Sequence, residues 1–169
     1  MTAPSPARSA VTWNSFAAEC PELVDPPYGL PARGKPFAAD HADDAERYET
    51  RCDYVAPAGQ PLLTLRMTID RGASGATRVE QEYLTEREAA GGMGWVDVVD
   101  VPQVGDAAFM VYDQGTWSVL AKARTGNAIA VAQLLAGRDV AESWDDTTPL
   151  QQQVPVLSPV LTTFLTGLS

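Results

Sequence analysis

The sequence predicts an α+β fold, in which one antiparallel sheet of five or six strands has helices packed against it. Three observations lead there. Residues 47–55 and 62–70 alternate apolar and polar side chains with the period of a β-strand. Most strand-like runs are separated by turns too short for a crossover helix, so neighbours are antiparallel. Helix-like windows fall in only three places, around 13–24, 77–90 and 158–168, and do not alternate regularly with the strands.

The opening MTAPSPARSA is rich in Pro, Ser and Ala and lacks an apolar run. Residues 1–10 read as a disordered linker, the remainder of a longer leader, and 11–169 as a single domain. In VTWNSFAAECPELV, Trp13, Phe16, Ala17, Cys20 and Val24 fall at helical spacings and predict a first helix that Pro21 ends or breaks. DPPYGLPARGKPFAAD is too dense in Pro and Gly for regular structure. It leads into the acidic DHADDAE, and the whole segment is expected to be a surface loop.

In RYETRCDYV, Tyr48, Thr50, Cys52 and Tyr54 share one face and Glu49, Arg51 and Asp53 the other. After the turn APAGQP, Leu63, Leu65, Met67 and Ile69 oppose Thr64, Arg66, Thr68 and Asp70, which completes a hairpin with Cys52 pointing inward. TRVEQEYLTEREAA predicts a surface helix with Val79, Tyr83 and Leu84 on its apolar side, stopped by GGMG. WVDVVDV, AAFMVY, TWSVLAKAR and AIAVAQLL follow as a meander with turns at DQG and TGN, and Trp117 is expected in the core beside Val119, Ala121 and Ala123. At the end, Leu157, Val160, Leu161, Phe164, Leu165 and Leu168 keep helical spacing. Ser158 and Pro159 suit the N-cap and first helical position, and Gly167 suits the stop.

A chain of 169 residues is long enough for one self-sufficient core. Its net charge of -10, with no cluster of Lys and Arg, excludes nucleic acid as a partner. No apolar run approaches the length of a membrane span. Only Lys35 and Lys122 are lysines among 12 basic residues, a bias that fits a GC-rich, actinobacterium-like coding sequence.

Motifs for chemistry are absent. The single histidine, His41, sits in a polar loop with no partner to orient it as a base, so no Ser/His/Asp or Cys/His mechanism is expected. His41 with Asp40, Asp43, Asp44 and Glu46 lacks the spacing of a calcium loop, and neither a metal nor a cofactor is expected. GASGA misses the nucleophile-elbow spacing, and GGMG lies after a helix and before a strand, the reverse of a dinucleotide fingerprint. Trp95, Tyr112 and Trp144 are the candidate contacts for a ligand or partner, with Trp144 in ESWDD the better candidate for exposure. Gly105 and Asp106 are assigned to a tight turn before a strand.

Cys20 on the predicted helix and Cys52 on the inward strand face point into the same layer, and a disulfide between them is expected. Two reduced buried thiols are the alternative.

FAAECPEL, ETRCDY, VPQVGDAAFMVY and VLAKARTGNAIAVAQL together resemble small secreted lipoproteins of actinobacteria, a two-cysteine family of unknown function, over roughly residues 12–168. QVGD stands where that family usually has GLGD, and no lipobox is visible. The architecture is also similar to the extracellular sensor domain of mycobacterial serine/threonine kinases and to PsbP-like folds. The resemblance implies a non-enzymatic extracytoplasmic domain, secreted or lipid-anchored at the cell envelope, that binds a small apolar or glycan-like ligand or an envelope protein. The only membrane attachment this implies is a lipid anchor outside this chain. Two other classes stay open: a secreted hydrolase with paired carboxylates, and a cytosolic interaction module with reduced cysteines.

Overall fold

The period-two runs fold as the long strands of a single sheet. The computed structural model describes residues 11–94, 96–144 and 149–169. Its strands are β1 (Lys35–Pro36), β2 (Ala42–Asp43), β3 (Arg47–Val55), β4 (Leu62–Asp70), β5 (Val96–Asp100), β6 (Ala107–Asp113), β7 (Ser118–Thr125) and β8 (Ala128–Leu135). Its helices are α1 (Gly75–Gly91), α2 (Arg138–Ala141) and α3 (Pro149–Leu165). The fold class is α+β with every described strand pair antiparallel. Along the sheet the order is β1-β3-β4-β8-β7-β6-β5, with β2 also pairing with β3.

The expected five or six strands become eight. The difference lies in the Pro/Gly loop, which contributes β1 and β2 as short additions along the outer edge of β3. Two-residue strands have no periodicity to read. The β3–β4 hairpin docks on β8, so β4 and β8 are central, and α1 must cross from the middle of the sheet to its far edge at β5.

Register separates the two faces. On the inner face Tyr48, Cys52, Tyr54, Leu63, Leu65, Met67 and Ile69 join Ala121, Ala123, Ala130, Ala132 and Leu134, all buried and packed with α3. The small alanines let α3 approach closely, and Leu157, Leu161 and Phe164 fill the layer between. Burial pushes the Tyr54 phenol up to about 12, and its hydroxyl donates to the Pro21 carbonyl at 2.5 Å.

The helix expected around Trp13–Val24 is not formed. Residues 11–26 are irregular, apart from a one-residue bridge of Phe16 to Leu168. Their backbone groups are taken by distant partners, which outcompete the helical ladder. Asn14 and Ser15 N–H donate to Ser169 O, and the buried Asn127 brackets Trp13 through its N–H and its carbonyl. Phe16 then meets Phe164 edge-on at 4.8 Å. The cysteines nevertheless join: Cys20 and Cys52 form a disulfide with Cα atoms 5.7 Å apart.

α3 begins well before the expected Ser158 and runs through Pro155 and Pro159. Each ring costs the helix an internal hydrogen bond, but the two prolines are four apart and exposed, so both fall on one face of the helix that is turned away from the core. Ser158 is not a cap. Its hydroxyl donates back to the Val154 carbonyl at 2.5 Å. Leu84 of α1, expected on the apolar side, is 48% exposed. Trp117 leaves the strand alternation because it precedes β7 with φ 53, and it is only half-buried.

Replacing Cys20 and Cys52 together with Ala should lower the melting temperature by roughly 7–15 °C, from about 3–4 kcal/mol of loop entropy. Alkylation of unfolded, unreduced protein should label neither thiol. An unchanged melting curve would remove the staple from the stability of the fold. Absorbance titration should show the Tyr54 and Tyr83 phenols protonated up to about 12. Because both folded values are raised, this contribution to stability is whole below the ordinary value of 10.0 and is lost as pH rises from there toward about 12. Tyr54→Phe should remove one late phenol from the curve.

Candidate functional site

The outer face of the sheet carries the functional candidates, and cations build it. Lys122 and Arg124 follow each other on the outer side of β7, opposite Val131 and Ile129 of β8 and beside Phe109 and Ala107 of β6. Their side chains are 5% and 1% exposed. Charges this deep require acidic partners, and α1 supplies most of them. Glu80 lies 3.6 Å from Arg124 Nη2, and Glu82 lies 3.3 Å from Lys122 Nζ, which Glu86 also holds. Asp106 approaches Arg124 Nη1 at 3.8 Å from below the helix. Tyr83 packs edge-on against Phe109 at 5.2 Å, with the Arg124 guanidinium 5.7 Å from its ring.

Val79 and Tyr83 fill the space beneath the first half of α1. Beyond Glu86 the helix sends Arg87 past Phe109 to Asp100 and otherwise carries only Ala89 and Ala90 toward the sheet, and their small side chains leave an apolar cleft of about 530 Å³. Ala90 and Met93 form one wall, and Val96, Val111, Leu120 and Leu135 the floor. Glu86 and Asp113 stand at its rim. Residue-by-residue sequence patterning did not mark this place, although the half-polar face of β7 combined with the alanines of α1 was a readable signal.

A second cleft, of about 500 Å³, lies at the end of the sheet between Tyr112, Trp117, Trp144 and Pro149. The structure corrects the expectation of an exposed Trp144, which is 6% exposed and packs edge-on to Tyr112 at 5.6 Å and near Tyr28 at 6.2 Å. The tryptophan is folded under by α2, and the Tyr28 hydroxyl donates to buried Gln153 at 2.9 Å to close that side. Tyr112 is buried as well, so the two residues present only part of their rings to the cleft. Trp95 lies outside the described residues, as does the 1–10 segment.

Gly105 and Asp106 fold as a turn that grips the β7–β8 hairpin. Gly105 has φ +58, and a Cβ there would sit 2.5 Å from the Arg124 carbonyl oxygen. Asp106 N–H donates to that carbonyl at 2.8 Å, and the Asp106 carboxylate accepts from Gly126 N–H at 2.8 Å.

A third, polar cleft lies at the start of α1, with Glu46, Asp70 and Glu82 among its walls. The Arg78 guanidinium bonded to Asp70 holds that carboxyl below the usual carboxylate range, which suits a fixed ion pair and not a proton donor. His41 is exposed on its loop, edge-on to Tyr48 at 5.6 Å. Among the described residues no group of three or more His, Cys, Asp or Glu is arranged to hold a metal ion. Comparison of the chain with protein-family models, curated proteins and solved structures finds no match.

Removing both acids above Lys122 with Glu82→Gln and Glu86→Gln should destabilise the protein by on the order of 2 kcal/mol, because a buried ammonium loses its charge partners. Lys122→Met should cost much less, since the glutamates it abandons are 56% and 49% exposed. Equal losses in denaturant melts would show that the pair does not hold α1 as described.

Proposed function

We propose that this chain is an extracytoplasmic, cell-envelope binding domain that takes a small apolar ligand in the cleft between the end of α1 and the outer face of β6, β7 and β8. The observation that carries this reading is the cleft itself. An apolar floor of half-buried Val111, Leu120 and Leu135 stays open on a chain of net charge -10, and apolar concavities with a few polar groups are the common form of small-molecule sites. Compartment is supported by the Cys20–Cys52 disulfide, since such bonds persist in oxidising surroundings. Among the described residues no helix is long and apolar enough to cross a membrane. The resemblance of the two-cysteine pattern to secreted actinobacterial lipoproteins, and of the layered sheet to kinase-sensor and PsbP-like domains, supports the same assignment.

A glycan-like ligand is the second reading, favoured by the aromatic walls of the Tyr112, Trp117 and Trp144 cleft, because sugar rings stack on such faces. One titration separates the two. The neutral fluorophore N-phenyl-1-naphthylamine should bind saturably to the native protein. Ala90→Phe, which fills the first cleft from the helix side, should weaken binding about tenfold or more. Trp117→Ala, at the second cleft, should leave it unchanged. Absence of saturable binding, or insensitivity to Ala90→Phe, would end the apolar-ligand reading.

A further inference from the structure

We propose that β5 accepts an added strand from a partner protein, an extended segment in which basic and apolar side chains alternate. The two edges of the sheet differ in this respect. At one edge β3 is covered by β1 opposite Asp53 and Cys52 and by β2 opposite Glu49 and Tyr48. At the other, β5 pairs, among the described residues, with β6 on one side only.

Register identifies the backbone groups left over. Val101 N–H donates to Ala108 O at 2.8 Å, one step beyond the Asp100–Phe109 pair. Hydrogen-bonded and non-bonded pairs alternate along an antiparallel ladder. Val99 and Asp97 therefore turn their groups toward Met110 and Tyr112, and Val98 and Asp100 turn theirs away from the sheet. Val96 N–H is occupied by Met93 O at 3.1 Å. Among the described residues nothing pairs with the amides and carbonyls of Val98 and Asp100. A chain laid beside β5 would satisfy all four groups, as in other cases of recognition by strand addition.

The side chains state what kind of chain fits. Val96 and Val98 point to the outer face, where Val96 also floors the apolar cleft, and both are half-buried. Asp97 points to the inner face, exposed and without an ion-pair partner among the described residues. Asp100 is 76% exposed and pairs with Arg87 at 2.8 Å. An added strand thus lies beside Val96, Val98 and Asp100 on the outer face and beside the unpaired Asp97 and Val99 on the inner. Apolar side chains suit the positions beside Val96 and Val98, and Lys or Arg suits the one between them beside Asp97. A second copy of the chain fits poorly, because it would bring together two molecules of charge -10 through edges that each carry Asp97 and Asp100. The aspartates that oppose self-pairing at this edge select a basic strand in its place.

Fluorescence anisotropy of a labelled peptide alternating lysine and valine, titrated with the whole chain, tests the inference together with amide exchange. Saturable binding is expected, with new protection at Val98 and Asp100. Val98→Pro removes only an outward-facing N–H, a substitution that edge strands tolerate, and should weaken binding about tenfold or more. Asp97→Lys tests the charge separately at an exposed position and should weaken it comparably. A peptide of equal charge with proline in place of each valine should not bind. Equal binding by the proline peptide, unaltered binding by both variants, or unprotected Val98 and Asp100 amides would overturn the proposal. So would dimerisation through β5 in preference to peptide binding.

Discussion

A guanidinium and an ammonium buried side by side on one strand are the constraint on which the outer half of this protein depends. Arg124 is 1% exposed, and its Nε and Nη1 have no hydrogen-bond partner among the described residues. Uncompensated, such a charge is among the most costly groups to bury. Glu80 on α1 and Asp106 in the β5–β6 connection stand on either side of it, and Lys122 holds Glu82 and Glu86 one turn further along the helix. α1 is otherwise held by the buried side chains of Val79 and Tyr83 and by two more exposed pairs, Arg78 with Asp70 and Arg87 with Asp100. The ion pairs therefore decide where the helix lies and how far along the sheet its apolar cover extends.

The inner half follows a different rule. There a layer of alanines on β7 and β8 meets the apolar side of α3, and the energy is that of burial and close packing. The irregular segment from Trp13 to Leu30 completes this layer with Phe16, Leu23 and Leu30. Such a segment has no ladder of its own. Asn127 holds it at Trp13, and the disulfide and the Tyr54 hydroxyl hold it at the adjacent Cys20 and Pro21. The turn at Gly105 and Asp106 joins the two halves, because Asp106 bonds the backbone of the β7–β8 hairpin while facing the buried guanidinium.

The long strands were legible because their signals are local: β3 and β4 alternate within their own residues, and β6, β7 and β8 are apolar-rich runs joined by short turns. What could not be read locally was lost. Trp13 to Val24 has a helical stripe, but its amides bond to Ser169 and Asn127, partners that no window around it contains. α3 starts before the expected Ser158, and the face on which Pro155 and Pro159 fall, and so their cost, is known only once the helix is docked. Lys122 and Arg124 read as the polar side of a strand. Their burial depended on a helix some forty residues earlier crossing above them. Trp144 sits in an acidic, polar stretch that argues for exposure, and only the placement of Tyr112 and Tyr28 shows it packed. The disulfide survived the loss of its predicted helix, because cysteine pairing needs proximity and not a particular backbone state.

The difference between the two halves also bears on where recognition belongs. A face closed by complementary apolar packing has little left to offer a ligand, and the inner layer is closed by α3 and the Trp13–Leu30 segment. A face closed by a few ion pairs is covered only where those pairs are. Past Glu86 only the Arg87–Asp100 pair at the sheet edge still ties the helix down, so apolar side chains of β6, β7 and β8 remain open. Beyond them the backbone of β5 is, among the described residues, unpaired on one side. Val96 belongs to both features, lining the cleft and lying on the open edge. Unsatisfied apolar surface and unsatisfied hydrogen-bonding groups thus meet at one corner of the domain, and the position of Arg124 and Lys122 under α1 is the physical reason they meet there.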